Sequence, residues 1–380
     1  MNRKVVRTIA FQLHRWLGLL VGILLCIAGL TGSILVFEQE IDNFLLERQM
    51  GHVVPTNHVI PLETLANTVN TTYTSMPGFK LTYVEMYEGE PYEFRAETAK
   101  GKDFRVFVNP FTGKVMGDRI WDDTWLGFTF KLHYALLAGE TGILIMGIVA
   151  LVTLILSITG IVLWPGWRKL IGGFKIKWDG HIKRVNFDIH KVAGIVTAIF
   201  LALIGFTGFA WNVPQAKIED AIYTATFTPK LKDPVSQPIP GGRPLSLTEL
   251  LQRADAAVPN APTTSLFFPT KPEDVLWLGK KQLQETTKWG STQLFLDQFS
   301  GKVLRIQDGL NPNRAEVVLN SFSPVHYGTF GGLPTRILYV FVGLAPLILF
   351  ITGFVMWWYR HRTQALTKDS IYTTSNSLYK

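Results

Sequence analysis

The stretch NFDIHKVAGIVTAIFLALIGFTGFAW, Asn186–Trp211, decides the fold. It contains no charged residue from Val192 onward, and a helix of about twenty such residues crosses the roughly 30 Å hydrocarbon core of a bilayer. His190 stands at the front of this run, and small residues such as Gly194 and Gly208 recur on its side of the helix. The pattern predicts a transmembrane helix with a histidine at one end and a face of small residues beside it.

Three further runs are equally long and free of charge, and each follows a histidine. They are Trp16–Phe37 after His14, Thr141–Trp164 after His133 and Ile337–Trp358 after His326. The distance from the histidine to a Thr-Gly pair is 17 residues for His14–Thr31 and His190–Thr207, and 26 residues for His133–Thr159 and His326–Thr352. The sequence therefore predicts a membrane α-helical fold with four transmembrane helices. The matched spacing predicts a tandem duplication, helix–α+β segment–helix, repeated twice.

The distribution of charge predicts the orientation. The net charge is +8, but the basic residues crowd the short segments: the N-terminus, the link between the second and third runs, and the stretch after the fourth. This positive-inside pattern predicts a multi-pass membrane protein with both termini cytoplasmic and the two long segments on the outer side, which is the periplasmic side of a bacterial inner membrane. It also argues against nucleic acid as the partner of the basic residues, and membrane lipid is the expected surrounding. Cys26 is the single cysteine, so no disulfide is expected.

These patterns predict eight consecutive regions. They are the N-terminus with the first transmembrane helix (1–37), a first periplasmic α+β domain (38–132), the second helix (133–164), a basic cytoplasmic link (165–187), the third helix (188–211), a second periplasmic α+β domain (212–335), the fourth helix (336–359) and a cytoplasmic tail (360–380).

The two periplasmic segments have the same predicted order of elements. In the first, a helix at Pro61–Asn70 precedes strands at Lys80–Tyr87, Tyr92–Ala96, Phe104–Val108 and Lys114–Met116. In the second, a helix at Leu245–Ala257 precedes strands at Thr264–Phe268, Asp274–Leu278, Gln293–Leu296 and Lys302–Ile306. The turns NPFTG (Asn109–Gly113) and DQFSG (Asp297–Gly301) stand at equivalent places.

The four histidines that precede the apolar runs are candidate ligands of haem iron. Since helices one and three run in the same direction, His14 and His190 fall at one depth, and His133 and His326 fall together at the other. Neutral imidazole is a good iron ligand, and bundle cores commonly hold such cofactors. The sequence predicts haem b in two layers, with a single haem or crossed pairs left open. An interfacial hydrogen bond for each histidine, glycine-mediated helix packing, or substrate binding by the second pair are the alternatives.

Four further residues complete the predicted cofactor site. Gly18 and Gly194, each four residues after a histidine, would leave room for the flat porphyrin, and Arg15 and Arg336 would pair with its propionates or extend to the membrane surface. No catalytic residue is assigned. His52, His58, His181 and His361 lie in polar segments and are expected to be solvated.

Several motifs resemble the PepSY-associated transmembrane family of bacterial inner-membrane proteins. They are HRWLGL (14–19), LHYALLAGETG (132–142), FDIHKVAG (187–194) and FSPVHYGTFGGLPTRILY (322–339), together with FVNPFTGKV and FLDQFSGKV in the long segments. The resemblance covers nearly the whole chain. It implies a link to iron uptake and a similarity to ferric-siderophore reductases that carry haem b, with His14, His133, His190 and His326 as its ligands.

The function predicted from these features is an oxidoreductase that carries electrons across the membrane to a periplasmic ferric siderophore or other ferric chelate, which then releases Fe(II). No dinucleotide-binding glycine motif is found, so a membrane quinol or a redox partner is the expected electron donor. A non-enzymatic module that binds a protein or peptide, or an accessory of siderophore uptake, is the alternative.

Overall fold

The computed structural model describes residues 2–212, 215–239, 241–285 and 287–377, with side chains as far as residue 362. Its helices are α1 (Arg3–Leu35), α2 (Glu38–Met50), α3 (Leu62–Thr72), α4 (Trp125–Ala135), α5 (Gly139–Leu163), α6 (Leu170–Phe174), α7 (Ile182–Asn212), α8 (Gln215–Ala225), α9 (Leu247–Ala257), α10 (Arg314–Tyr327) and α11 (Leu333–Ser377). Its strands are β1 (Lys80–Glu85), β2 (Tyr92–Glu97), β3 (Phe104–Val108), β4 (Val115–Ile120), β5 (Thr263–Phe267), β6 (Leu276–Lys280), β7 (Thr292–Leu296) and β8 (Val303–Gln307).

The chain divides into two compact units. The membrane unit contains the residues up to Glu38, Thr129–Ala221 and the chain from Asn320 onward, and the sheet unit contains Gln39–Phe128 and Ile222–Leu319. Each unit therefore takes segments from both halves of the sequence.

Four helices of the membrane unit are long and apolar enough to cross a membrane, as the sequence predicts. Among the described residues these spans are Arg3–Leu35, Gly139–Trp167, Ile182–Asn212 and Leu333–Arg362. Helix α1 packs against α5 and α11, and α7 packs against the same two helices.

The membrane unit has an apolar exterior and polar groups inside. Leu20, Ile199 and Phe341 are each more than three-fifths exposed, whereas Thr31 and Thr207 are buried. The buried hydroxyls hydrogen-bond to backbone carbonyls one turn earlier, as Thr207 does to Leu203 at 2.9 Å. This distribution suits a bundle surrounded by lipid.

A break precedes α5 and another precedes α11. Leu136 and Leu137 both have positive φ, at 50° and 59°, and end α4 before α5 begins. Gly328 and Gly332, at 73° and 69°, mark the corresponding break between α10 and α11. His133 and His326 consequently lie on separate short helices rather than on the long ones that follow.

The sheet unit is built on one antiparallel sheet of eight strands in the order β4-β3-β2-β1-β5-β6-β7-β8. The predicted strands are confirmed, although β4 continues to Ile120. The two predicted α+β segments do not form separate sheets, because β1 pairs with β5 through Tyr83↔Phe267 and Glu85↔Ser265. The sheet is therefore continuous across the two segments.

Helices α3 and α9 cover one face of this sheet. Alternate strand residues such as Val84, Phe94 and Leu266 are fully buried, and they belong to one hydrophobic core with Leu65 of α3 and Leu250 of α9. The N-terminus of α9 is fixed by a capping box between Ser246 and Glu249.

The two predicted turns have the same local structure. The side chain of Asn109 accepts hydrogen bonds from the backbone N–H groups of Phe111 and Thr112. Asp297 accepts in the same way from the N–H groups two and three residues later, at 2.9 and 2.7 Å. A glycine of positive φ follows in each turn, Gly113 at 71° and Gly301 at 65°.

Candidate functional site

The four predicted histidines all lie in the membrane unit, and they meet in two pairs. The first pair joins α1 and α7: the ring centroids of His14 and His190 are 6.1 Å apart, with an angle of 84° between the ring planes. The second pair joins α4 and α10: the centroids of His133 and His326 are 6.3 Å apart, at 75°. Each pair takes one histidine from each half of the sequence.

A threonine on a neighbouring helix holds every one of these rings through Nδ1. The Nδ1 to Oγ1 distances are 2.9 Å for His14 and Thr159, 2.8 Å for His190 and Thr352, 3.0 Å for His133 and Thr31, and 2.8 Å for His326 and Thr207. The four threonines are those of the four Thr-Gly pairs. The same local arrangement thus occurs four times.

A backbone carbonyl identifies the protonated ring nitrogen of His133. Its Nδ1 atom lies 3.0 Å from the carbonyl oxygen of Ala28, which can only accept a hydrogen bond. Nδ1 is therefore the N–H donor in His133, and Nε2 keeps the free lone pair that a metal ligand needs.

The threonine hydroxyls are consistent with this assignment. Each one donates its single proton to a carbonyl of its own helix, over 2.7 Å for Thr31, 2.8 Å for Thr159, 2.9 Å for Thr207 and 2.6 Å for Thr352. The hydroxyl oxygen is then left to accept from the imidazole.

The glycine after each threonine makes room for the ring. A β-carbon added at Gly32 would lie 3.0 Å from Cε1 of His133, and one at Gly160 would lie 3.3 Å from Cε1 of His14. The equivalent distances are 3.3 Å from Gly208 to His326 and 3.5 Å from Gly353 to His190. A larger side chain at these positions would push the imidazole away from its threonine.

The spacing within each pair is compatible with two imidazoles that hold one iron ion. An imidazole nitrogen binds iron at about 2 Å and lies about 1.1 Å from its ring centre, so two imidazoles that shared one iron would have centroids up to about 6.2 Å apart. The observed separations are 6.1 and 6.3 Å. No group of three or more His, Cys, Asp or Glu side chains suited to a metal ion occurs in the described part of the chain. Two imidazole donors in each pair would suit a group such as haem, which brings its other donors with it.

Gly18 and Gly194 both lie in open surroundings, which suits the predicted clearance. A β-carbon at Gly18 would meet only Cδ2 of Leu156, at 3.8 Å, and one at Gly194 only Cδ2 of Leu349, at 3.7 Å. Gly205 differs, because a β-carbon there would lie 2.8 Å from the carbonyl oxygen of Ala150 and block helix packing.

The two predicted propionate partners have different surroundings. Arg336 donates to the carbonyl of Val36, with NH2 at 2.7 Å, and its guanidinium lies 4.4 Å from the ring centre of Phe37. Arg15 donates to Gln12 and lies over Trp16, while its Nε atom is buried without a hydrogen-bond partner. Arg15 therefore retains a donor for a carboxylate, and both propionate contacts stay predictions.

The remaining histidines are exposed, as the sequence predicts. His52 lies 3.7 Å from Glu47, His181 accepts from the backbone of Lys183, and His361 packs against Trp357. None of these three joins either histidine pair.

A family model for the PepSY-associated TM region matches residues 11–360. The chain belongs to this family. The match includes both histidine pairs and all four Thr-Gly pairs of this PepSY-associated TM protein, together with its eight-stranded sheet. A search of curated proteins finds no match.

The sequence of this PepSY-associated TM protein marks its threonines by spacing but does not reveal their role. Thr31, Thr159, Thr207 and Thr352 all stand at a fixed distance from a histidine, yet each one holds the ring of a different histidine. Only the packing of neighbouring helices brings them together. The spacing alone indicates repetition and not the hydrogen bond to a histidine.

One aromatic residue distinguishes the second pair in this PepSY-associated TM protein. The ring of Trp211 lies 4.8 Å from that of His326 and 5.7 Å from that of Tyr327. Trp211 stands four residues after Thr207, and the residue four after Thr31 is Leu35. The two halves therefore differ beside otherwise similar histidines.

Proposed function

We propose that this protein is a haem-b oxidoreductase of a bacterial inner membrane that carries electrons to a periplasmic ferric chelate, such as a ferric siderophore. The observation that carries the proposal is that the four histidines form two pairs. The ring centroids within each pair are 6.1 and 6.3 Å apart, and a threonine holds every Nδ1 atom. Two such pairs in one bundle support a path of two one-electron carriers.

The histidines would hold two haems, one through His14 and His190 and the other through His133 and His326. When bound, haem b supplies a one-electron Fe(III)/Fe(II) couple. The protein's own contribution is to fix the imidazoles. Because each Nδ1 donates to a threonine oxygen, each ring is held in one tautomer and one orientation, which makes its Nε2 more basic.

The protein also keeps the site apolar. The glycine after each of the four threonines lies against a histidine ring, and the threonine hydroxyls are satisfied by their own helices. Beside the first pair, Gly18 and Gly194 leave room, because a β-carbon there would meet only Leu156 or Leu349. Arg15, with its unpaired Nε, would neutralise a propionate at that end.

We place the first pair near the cytoplasmic surface and the second near the periplasm. The support is the positive-inside pattern of the basic residues, which puts both termini in the cytoplasm and the sheet unit in the periplasm. The matching order of β1–β4 and β5–β8, with one helix ahead of each set, supports an origin by duplication.

The reaction requires one electron for each iron. A quinol releases two electrons and two protons, which would reduce two Fe(III) ions to Fe(II), and a protein donor would supply the electrons singly. Hard oxygen chelators hold Fe(II) much more weakly than Fe(III), so reduction releases the metal.

A pyridine haemochrome assay on the purified full-length protein tests the proposal. We expect two haems b per chain, with one lost in His14→Ala or His190→Ala and the other lost in His133→Ala or His326→Ala. The dithionite-reduced wild-type protein should be reoxidised by ferric citrate under anaerobic conditions. His361→Ala is the matched control, because His361 is exposed and unpaired with another histidine.

Absence of haem from protein produced with ample haem supply would refute the proposal. The better hypothesis would then be a non-enzymatic module that binds a protein or peptide, or an accessory of siderophore uptake. If the protein contains haem but ferric chelates do not reoxidise it, the proposed cofactor stands and the proposed substrate is rejected.

A further inference from the structure

One row of side chains crosses all eight strands on the sheet face opposite α3 and α9. Each residue of this row is the register partner of the next one, on the adjacent strand. The row reads Arg119 (β4), Arg105 (β3), Arg95 (β2), Tyr83 (β1), Phe267 (β5), Trp277 (β6), Phe295 (β7) and Arg305 (β8). It begins with three arginines, continues with four aromatic rings and ends with another arginine.

The four rings form a continuous aromatic platform. The centroids of Tyr83 and Phe267 are 4.4 Å apart, and those of Phe267 and Trp277 are 4.2 Å apart with nearly parallel planes, at 11°. Trp277 and Phe295 are 5.7 Å apart at 17°. Three strand spacings separate the first ring from the last, a length of about 14 Å.

The platform is accessible within the sheet unit. Phe267 is 38 % exposed, and the other three rings are half-buried, whereas residues of the opposite face such as Val84 and Leu278 are fully buried. Four adjacent rings that stay at least partly accessible form an apolar patch, and such patches commonly mark a binding surface.

Other parts of the sheet unit flank the platform. On one side α2 reaches β4, where Asp42 pairs with Arg119 and Met50 lies against Gly117. On the other side the chain before α9 reaches β8, where Arg305 donates to the carbonyl of Lys232. We refer to the strip of sheet face between these two contacts, which carries the four rings, as the trough.

The arginines at the β4 end of the row form ion pairs with carboxylates, whereas, among the described residues, the arginine at the β8 end does not. Arg95 pairs with Glu85 at 2.9 Å and with Glu93 at 2.8 Å, and Arg105 pairs with Glu93 and Asp103. Arg305 lies over Phe295, with its guanidinium carbon 5.9 Å from the ring centre. Within the described ranges Arg305 forms no ion pair with a carboxylate. A positive charge therefore remains at the aromatic end.

We infer that this trough binds the iron chelate itself, and that the chelate is an anionic aryl type with catecholate or phenolate groups. The inference rests on the proposed function for the identity of the metal. Aryl groups stack on the platform, and the anionic donors around Fe(III) complement the guanidinium of Arg305. An aliphatic hydroxamate chelate has no ring to stack.

Binding of redox-inert complexes tests the inference separately from electron transfer. The full-length protein in detergent is titrated with the gallium(III) complex of 2,3-dihydroxybenzoate and with gallium(III) acetohydroxamate, by isothermal calorimetry. We expect saturable binding of the aryl complex and at least tenfold weaker binding of the hydroxamate. Haem plays no part in this measurement.

Two variants test the two contributions to binding separately: ring stacking and the positive charge. Trp277→Leu keeps an apolar side chain but removes a ring, and we expect about tenfold weaker binding of the aryl complex. Arg305→Gln should weaken it severalfold, with an effect that diminishes in 0.5 M salt. The control is Trp289→Leu, since Trp289 is exposed in the same unit and outside the row. Circular dichroism of each variant verifies that the sheet is intact.

The outcomes separate the two proposals. If the protein contains no haem but binds the aryl complex, and Trp277→Leu abolishes that binding, the trough stands as a binding site and the oxidoreductase proposal is rejected. A haem protein that binds both gallium complexes equally, or whose affinity is unchanged in folded Trp277→Leu, overturns the inference alone. No binding by the wild type also overturns it. A dimer that Trp277→Leu dissociates would assign the platform to a second copy of the chain instead.

Discussion

The four histidine units of the membrane unit are alike, whereas the equivalent strands of the sheet are not. In each histidine unit, an imidazole has a threonine on Nδ1 and a glycine beside the ring. In the sheet, counting from the two matching turns, Phe107 pairs with Glu93 in the first half, whereas Phe295 pairs with Trp277 in the second. The next strand inward has Glu85 in one half and Phe267 in the other.

The membrane unit thus repeats one arrangement, whereas the two halves of the sheet differ. All four histidine units have the same residues around the ring. On the sheet face opposite α3 and α9, the first half has ion-paired arginines and glutamates and the second half has aromatic rings. We therefore expect the repeated residues to form the scaffold of the proposed site and the divergent residues to set its specificity.

The largest expected effect comes from breaking one histidine unit. Gly32→Leu puts a side chain where a β-carbon alone would lie 3.0 Å from Cε1 of His133. The ring cannot then reach Thr31, and we expect loss of the haem that we propose for the second pair, with retention of the one proposed for the first. Haem content and the optical spectrum measure this result.

Gly172→Leu is the control for that variant. Gly172 is a helical glycine of the same unit, and a β-carbon there would meet only the side chain of Lys169, at 3.6 Å. If Gly32→Leu keeps two haems per chain, the glycine is not needed to seat the imidazole.

A smaller effect is expected from removing a single hydrogen bond to a histidine. Thr352→Val keeps the shape of the side chain but removes the oxygen that lies 2.8 Å from Nδ1 of His190. Loss of such a partner typically weakens metal binding about tenfold or more, and a less basic imidazole raises the reduction potential of the bound haem. Haem retention during dialysis and a potentiometric titration measure both effects.

Thr153→Val is the matched control. Thr153 is buried and donates to the carbonyl of Val149 at 2.8 Å, and it has no histidine partner. An equal shift of potential in Thr153→Val and Thr352→Val would contradict a role of the threonine in holding the ring.

The smallest expected effect is a pH dependence in one of the two matching turns. Burial would raise the pKa of Asp297, but hydrogen bonds from the backbone of Ser300 and Gln237 and from the Ser300 hydroxyl outweigh it and hold the pKa below its usual value. Asp297 therefore stabilises the folded state above the unfolded pKa of about 3.9, and this contribution disappears as pH falls through the lower, folded pKa.

Asp297→Asn should make the second turn resemble the first, where Asn109 is uncharged. We expect a loss of about 1–2 kcal/mol at pH 6 and a weaker decline of stability below pH 4 than in the wild type. Thermal melting of the sheet signal between pH 6 and pH 3 measures it. Asn109→Asp is the reciprocal variant. An unchanged pH profile in Asp297→Asn would exclude Asp297 as the titrating group.

Much of this architecture could be predicted from the sequence, because its signals are local. Uncharged runs such as Val192–Trp211 are sufficient to identify the spans, and the period of alternation identifies strands such as Phe104–Val108. The NPFTG and DQFSG turns follow from the hydrogen-bonding preferences of Asn and Asp. The four histidines are identifiable because each one precedes an apolar run.

The parts that could not be predicted depend on contacts between distant segments. The pairing of β1 with β5 merges two predicted units into one sheet, and no local pattern in Lys80–Glu85 specifies that partner. The role of Thr31 for His133 depends on how α1 packs beside α4. The aromatic platform likewise exists only because the strand that carries Tyr83 lies next to the one that carries Phe267.

The division of each histidine pair between the two halves has a consequence for assembly. A polypeptide that ended in the link after Trp164 would contain His14 and His133 but neither His190 nor His326. It would also lack β5, the neighbour of β1, and would expose that strand as an open edge. Such a half-length chain could complete a histidine pair only by associating with another half. Both halves are therefore needed to form either pair.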